Sequence, residues 1–352
     1  MIFPLLLLMA FPAVHPPVPP VLPPPFHAPA VRRFAEDSVW QRLWVVGRDR
    51  TADTFIEPRR VVATGTLIVV LDQGTRELRG FDAATGRARF VLLARGTGPG
   101  EFQRPAMLVA LPNGFAILDH ATSRVTAFDA AGRARWNVPI PLALQASGVC
   151  VAPQARVVVS YRRRDSSVVT LDSSGRVVQR EQVPWRVARP TTLDFAHEAA
   201  MAGPLATGRC VVAPLFGSEW ALVAAGPEAP TVHRYIEPGP EPVVTSSRRV
   251  LNRTSEHVVI EQTNASQTPT VAYGVLVRGD TIIVQAAMTR RAPRRILDYY
   301  DGRSGRYLHS RILPVLATSL AIDASGTFFA TRIGDEHQEL IAMRPVRAPE
   351  GR

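Results

Sequence analysis

Short apolar runs, alternating or continuous and bounded by Asp, Gly, Pro or Arg, recur from Arg42 to Val346. Such runs predict β-strands, and no stretch carries the 3.6-residue period of an amphipathic helix. Two stretches are alike: LIVVLDQGTRELRGFDAATGRARF at 67–90 and FAILDHATSRVTAFDAAGRARW at 115–136. Asp72 and Asp119 are 47 positions apart, as are Phe81-Asp82 and Phe128-Asp129. Self-similarity at a period of about 40–50 residues signals a propeller or a solenoid, and strands without helices select the propeller. Asp-Ala-Ala-Gly-Arg at 129–133 and Asp-Ser-Ser-Gly-Arg at 172–176 predict tight turns.

Six units follow from this spacing, at about 60–94, 106–140, 148–184, 199–237, 271–314 and 318–346. The last holds only three strand runs, SLAID, TFFATRI and ELIAMRP. One surplus run, RLWVVG at 42–47, precedes the first unit. A propeller left open exposes unpaired strand edges, so the N-terminal run is predicted to complete the last blade. The prediction is an all-β fold, a six-bladed β-propeller of four-stranded blades.

The flanks read differently. Ile2 to Val14 is an apolar run too short to span a bilayer as a helix, and it fits the core of a signal peptide. No Arg occurs before Arg32, so the usual positive start is missing, and Ala28-Pro29-Ala30 fits a cleavage site. HPPVPPVLPPPFHAP between them predicts an extended polyproline II spacer. The expected organisation is therefore a signal segment and Pro-rich leader at 1–30, a linker with the closing strand at 31–59, the propeller at 60–346, and a tail at 347–352. Export to a periplasmic or extracellular space is expected, with no transmembrane span. An insertion at 238–270 is too long for an inter-blade turn, and long loops on rigid scaffolds often carry binding. It contains Asn252-Arg-Thr and Asn264-Ala-Ser, which fit the glycosylation sequon.

Charge adds less than its size suggests. The 352 residues carry 41 basic side chains, all Arg, against 30 acidic ones, for a net +11. Arg, Ala, Gly and Pro are over-used together, as a GC-rich coding bias would produce, so charge alone is a weak argument for nucleic acid. Apolar residues at 46% are enough for a real core. Two cysteines exclude a disulfide-framework protein and a Cys-based zinc module. Cys150 and Cys210 fall in units three and four, where they fit either an inter-blade staple or two buried small hydrophobes. Their placement on non-equivalent strands favours the unbonded pair.

Residues 96–132 read GTGPGEFQRPAMLVALPNGFAILDHATSRVTAFDAAG. This resembles the NHL-type repeat, with Gly96, Gly98, Gly100, Phe102, Pro105, Gly114, Asp119, Arg124, Phe128, Asp129 and Gly132 as the matching residues. The resemblance is partial in unit one and fades to strand periodicity in units three to six. It implies a six-bladed propeller of the NHL/TolB-like group, which includes binding scaffolds, lyases and lactonases, so it implies no single activity. Asp119 and Arg124 are expected to tie one blade's strands together by a charge-assisted hydrogen bond. Phe102 and Phe128 are expected to pack between blades.

The candidate chemistry follows from that group. A lactonase-like propeller holds calcium at its axis with carboxylates at blade starts. Glu101, Asp194 and Glu198 stand near such positions, but the other blades supply no matched set. A lyase-like propeller would use zinc-binding histidines. Of the eight, His120, His197 and His257 are the ones to follow, and none share a ligand spacing. No Gly-x-Ser-x-Gly elbow occurs, and without Lys there is no phosphate-binding P-loop. Gly96 to Gly100 reads as an inter-blade turn. Arginine clusters remain: Arg162-Arg163-Arg164, Arg248-Arg249, and Arg290, Arg291, Arg294 and Arg295. The first and last fall between the second and third strands of units three and five, so they should emerge on one face.

The sequence therefore predicts an exported, non-enzymatic scaffold, without a cofactor, that binds a protein or an acidic polymer through one loop face. Arg162, Arg163, Arg164, Arg290, Arg291, Arg294 and Arg295 are its predicted binding residues. The alternative is a hydrolase or lyase with calcium or zinc at the axis. A third reading, RNA binding by a basic face, is disfavoured because an exported protein meets little RNA.

Overall fold

The structure, a computed structural model, describes residues 39–47, 54–93, 96–161, 167–185, 199–237, 270–287, 294–333 and 338–346, and the backbone of 244–253 and 258–266. Strand β1 (Val39–Val46) comes first. Blade one is β2 (Pro58–Thr64), β3 (Leu67–Asp72), β4 (Glu77–Asp82) and β5 (Ala88–Leu92). Blade two is β6 (Pro105–Leu111), β7 (Gly114–Asp119), β8 (Arg124–Asp129) and β9 (Ala134–Pro139). Blade three is β10 (Ala146–Ala152), β11 (Arg156–Tyr161), β12 (Ser167–Leu171) and β13 (Val177–Gln182). Blade four is β14 (Ala199–Ala202), β15 (Cys210–Pro214), β16 (Glu219–Val223) and β17 (Thr231–Arg234). A separate hairpin, β18 (Val244–Arg253) and β19 (Val258–Ser266), follows. Blade five is β20 (Ala272–Arg278), β21 (Thr281–Ala286), β22 (Ile296–Asp301) and β23 (Tyr307–Ile312). Blade six is β24 (Ser319–Ile322), β25 (Phe328–Ile333) and β26 (Gln338–Val346), completed by β1.

All six blades are antiparallel and four-stranded, and the first strands β2, β6, β10, β14, β20 and β24 contact one another in turn around a closed ring. Why β3 reads LIVVLD without a polar interruption is now clear. Successive strand residues point to opposite faces of the sheet. Leu67, Val69 and Leu71 pack toward blade two, against Phe102, Phe115, Ile117 and Phe128. Ile68 and Val70 pack toward blade six, against Ala321, Phe329 and Leu340. A blade has neighbours on both faces, so its inner strands lose the alternation of a half-exposed sheet. The core is a series of apolar seams, and Phe102 and Phe128 share one of them, between blades one and two.

Strand β1 begins three residues before the run expected at 42–47 and pairs with β26 from Val39↔Val346 to Val46↔Leu340. It also grips both neighbours of blade six. The Trp44 indole N–H donates to Ala83 O in blade one at 3.0 Å, and the Trp40 indole N–H donates to Ile312 O in blade five at 2.8 Å.

The cysteine expectation is corrected. Cys150 and Cys210 form a disulfide, with a Cα–Cα separation of 6.2 Å across 60 positions of sequence. They do lie on non-equivalent strands, β10 and β15, but the first strand of a blade packs against the second strand of the next as well as the first. Non-equivalence therefore does not separate them. Closing a loop of this length stabilises the fold by about 4 kcal/mol in the chain-entropy picture.

At one end of the ring, here the lower face, third strands turn into fourth strands through near-identical Asp turns. The carboxylates of Asp82, Asp129, Asp172 and Asp301 each accept backbone N–H groups from the next few residues. Each turn then reaches a Gly that lies on the outer strand of the preceding blade. At Gly305 (φ +69°) a Cβ would stand 1.9 Å from His233 Nδ1, and at Gly132 (φ +78°) 3.3 Å from the Leu92 side chain. Gly86 and Gly175 repeat the arrangement against Trp44 and Pro139.

Candidate functional site

The opposite, upper face is where first strands begin. It carries the inter-blade loops and the connections between second and third strands. In four blades the register of the first strand slips at its second residue: Arg59, Ala106, Ser147 and Tyr273. Blades four and six pair there without interruption. Bulges re-aim side chains and are over-represented near functional sites. Two of these bulged residues carry polar or aromatic groups with a second partner. Arg59 donates to Glu57 Oε1 at 2.8 and 2.5 Å. The Tyr273 ring lies 4.4 Å from the Arg294 guanidinium carbon. Ser147 instead turns inward to Ser160 Oγ at 3.0 Å.

The Asp119–Arg124 expectation is also corrected. The two residues are register partners across β7 and β8, yet both side chains reach to the loop before the blade. Asp119 accepts from the N–H groups of Gln103, Arg104 and Ala121 at 2.5, 2.9 and 2.8 Å. Arg124 donates to the carbonyls of Thr97, Gly98 and Glu101. Together they tie the glycine-rich turn at Gly96, Gly98 and Gly100 to the blade, because its backbone groups have no strand to pair with. Glu101 closes the turn on itself by accepting from Gly98 N–H at 2.7 Å. In blade one Asp72 does the same work for Ile56, Glu57 and Gly74. Arg79 supplies the carbonyl contact there, to Thr54 O at 3.0 Å.

Other upper loops are held by different groups. The Tyr161 hydroxyl donates to Pro141 O, and the Tyr235 hydroxyl to Pro214 O. Arg295 donates to Leu313 O at 2.7 Å, while Leu313 N–H donates back to Arg295 O. What these loops present is apolar and cationic together. Ile56, Leu142, Leu144 and Leu316 are 61%, 56%, 60% and 51% exposed. Arg76, Arg104 and Arg294 are exposed on the same face and make no ion pair among the described residues. Four non-glycine residues of this face, Arg76, Ser123, Leu142 and Arg294, hold left-handed backbone conformations. That costs roughly 1–2 kcal/mol apiece.

Several lower-face arginines are paired, whereas Arg87, Arg278 and Arg306 are exposed there with no ion pair among the described residues. Arg89 pairs with Asp82, Arg135 with Asp129 at 2.7 Å, Arg176 with Asp172 at 3.2 Å and Arg303 with Asp280 at 2.7 Å. The Arg133 backbone N–H, then the Ala131 N–H and the Arg133 guanidinium, hold the Asp129 carboxyl down to about 2, against the opposing effect of burial. The Ser174 hydroxyl and N–H, with Arg176, bring Asp172 to about 2 as well.

Of the predicted binding residues, Arg162, Arg163, Arg164, Arg290 and Arg291 lie outside the described residues. Strands β11 and β12 flank the first group, and β21 and β22 the second, which are the second and third strands of their blades. Arg294 is exposed over Tyr273, and Arg295 is half-buried on Leu313 O. Arg248 and Arg249 belong to β18. Asp194, His197, Glu198 and His257 lie outside the described residues. His120 N–H donates to Arg104 O at 3.1 Å. His233 and His309 stack on Trp220 and Tyr299 at 4.6 and 4.4 Å. Among the described residues no three His, Cys, Asp or Glu side chains lie together as a ligand set. No helix among them is long and apolar enough to cross a membrane.

The 47-residue period runs further upstream than the two aligned stretches. Phe55 and Pro58 stand 47 positions before Phe102 and Pro105, each pair leading into a first strand. The Phe-x-x-Pro spacing was the signal that would have found them. The exposed Ile and Leu residues of the upper loops have no periodic signal at all.

No protein family and no curated protein sequence matches the chain. Solved structures do resemble it in fold. A Bacteroides fragilis protein presumed to be exported is 12% identical, with a TM-score of 0.54, over 88% of this chain and 95% of its own. A Bacteroides thetaiotaomicron protein of unknown function is 9% identical, TM-score 0.52, over 85% of this chain and 72% of its own. A catalytically inactive virginiamycin B lyase from Staphylococcus aureus, solved with quinupristin, is 8% identical, TM-score 0.50, over 88% of this chain and all of its own. At these identities the likeness is one of fold.

Proposed function

We propose that the chain is an exported, non-enzymatic propeller scaffold of NHL/TolB-like type that binds an acidic protein surface through its upper face. The observation that carries this reading is the juxtaposition of unpaired arginines and exposed aliphatic side chains on the upper face. Arg76, Arg104 and Arg294 lack carboxylate partners among the described residues, whereas the lower Asp turns of blades one, two and three each pair with an Arg of their own blade. Exposed Ile56, Leu142, Leu144 and Leu316 stand beside them. A bare polyanion gains nothing from aliphatic side chains, while a protein interface uses an apolar centre within a polar rim. The clusters Arg162–Arg164 and Arg290–Arg291 would extend the same positive field. The leader and the Cys150–Cys210 disulfide support export, since such bonds persist in oxidising compartments.

Peptide display against the purified chain tests the reading. Selected peptides should be rich in Asp, Glu and aliphatic residues, and their binding should weaken with salt. Leu144→Asp and Arg104→Glu should each weaken binding tenfold or more, with thermal stability changed by no more than about 0.5 kcal/mol. Leu308→Asp, at an exposed position near the lower-face start of β23, should leave binding intact. Peptides indifferent to all three substitutions would overturn it. So would calcium- or zinc-dependent turnover of a lactone or macrocycle.

A further inference from the structure

We propose that β18 and β19 form a dimerisation arm, in which β19 pairs edge to edge with β19 of a second copy. The hairpin joins β17 to β20 and so leaves the ring from the upper face. Its two roots are fixed. Tyr235 is buried and donates its N–H to Ser218 O, and Ile236 N–H donates to Tyr300 Oη at 2.9 Å. On the return, Val271 N–H donates to Leu215 O at 2.6 Å. Between the roots, the ten residues of β18 pair with the nine of β19, and neither pairs with a third strand among the described residues. An arm of that length extends about 30 Å. A two-stranded hairpin alone is marginal in water, and independent stability needs three or more strands.

The two edges are unequal. β18 carries Arg248, Arg249 and Arg253, and its register slips between Val250 and Asn252. Cations and bulges are how edge strands are protected from pairing. β19 reads VVIEQTNAS, with no Pro, no cation and no slip along its own strand. Its outer edge is the unprotected one. A two-fold axis through Gln262 lays β19 antiparallel on its copy over its full length. Val258 then faces Ser266 of the second copy, Val259 faces Ala265, Ile260 faces Asn264, and Glu261 faces Thr263. No like charges meet. Each set of three arginines stays on the far strand, about 14 Å from its counterpart. Such an interface is isologous and closed, and it yields a four-stranded sheet, β18-β19-β19-β18. Pairing through β18 would bring the arginines together, which the +11 net charge already resists.

Sedimentation equilibrium on the full chain should show a concentration-dependent mass twice the 38.4 kDa of one chain. Gln262→Pro removes a ladder donor and should leave a monomer whose thermal unfolding matches the parent's. Thr263→Glu sets like charges opposite Glu261 twice across the axis, and should weaken the dimer about fivefold. Thr263→Arg should strengthen it by a similar factor. Gln262→Cys should cross-link to its copy under mild oxidation. A chain that stays monomeric at all concentrations, or a dimer unmoved by these four substitutions, would overturn the proposal.

Discussion

The two faces of the ring meet the same backbone demand with a different mix of residues. Tight connections need residues with positive φ on both. Below, glycine supplies them at 86, 132, 175 and 305, and the missing side chain lets each turn lie against the preceding blade. Gln154 and Ala155 are the lower-face exceptions. Above, Gly47, Gly100 and Gly217 do so too, but Arg76, Ser123, Leu142 and Arg294 keep their side chains in a conformation that disfavours them. Accepting a backbone cost to present a side chain is what binding and catalytic surfaces do. The lower face closes seams between blades, and the upper face differs from blade to blade and displays chemistry.

That comparison is sharpened most by separating the upper face's anchors from its displayed groups. Asp119→Ala should cost about 3 kcal/mol, because three backbone N–H groups would lose a buried carboxylate, and Asp72→Ala should match it. Chemical denaturation measures both. Asp129→Ala, in a lower turn open to water, should cost clearly less. Equal losses would mean that the turns and the anchors are equally structural.

A smaller effect separates packing from conformation on the lower face. Gly305→Ala should cost about 2 kcal/mol, since a left-handed residue is imposed and His233 must leave Trp220. Gly65→Ala has φ +52° and nothing within 4 Å of the new Cβ, so only the conformational part, about 1 kcal/mol, should appear. Identical losses would remove the seam-packing argument.

The smallest effect is a pH dependence. Asp129 and Asp172 titrate at about 2 in the folded chain, below the ordinary 3.8. Their contribution is fully present above pH 3.8 and is lost as the pH falls through about 2. Melting temperatures from pH 6 to 2 should therefore fall less steeply for Asp129→Asn plus Asp172→Asn than for the parent. A parallel fall would show that these turns do not stabilise through their charge.

Much of the ring was legible beforehand, for a physical reason. Strand residues alternate faces and the blades repeat, so Asp72 and Asp119, or Phe81 and Phe128, recur at one interval and betray the period. The surplus run before blade one was readable because ring closure is a counting constraint. Less was legible wherever a side chain leaves its strand. Arg124 looks like a partner for Asp119 by register, yet its length lets it reach the carbonyls of Thr97, Gly98 and Glu101. Cys150 and Cys210 look mismatched by strand number, yet neighbouring blades stack face to face.

By itself the amino-acid sequence determined the all-β class, six units, the closing strand and the Asp-Gly turns, because these follow from local periodicity and turn chemistry. Only the tertiary structure decided the disulfide, which arginines find a carboxylate, and the exposed Ile56, Leu142, Leu144 and Leu316. Those depend on which residues non-local packing covers, and no spacing along the chain records what stands beside a residue once the ring has closed.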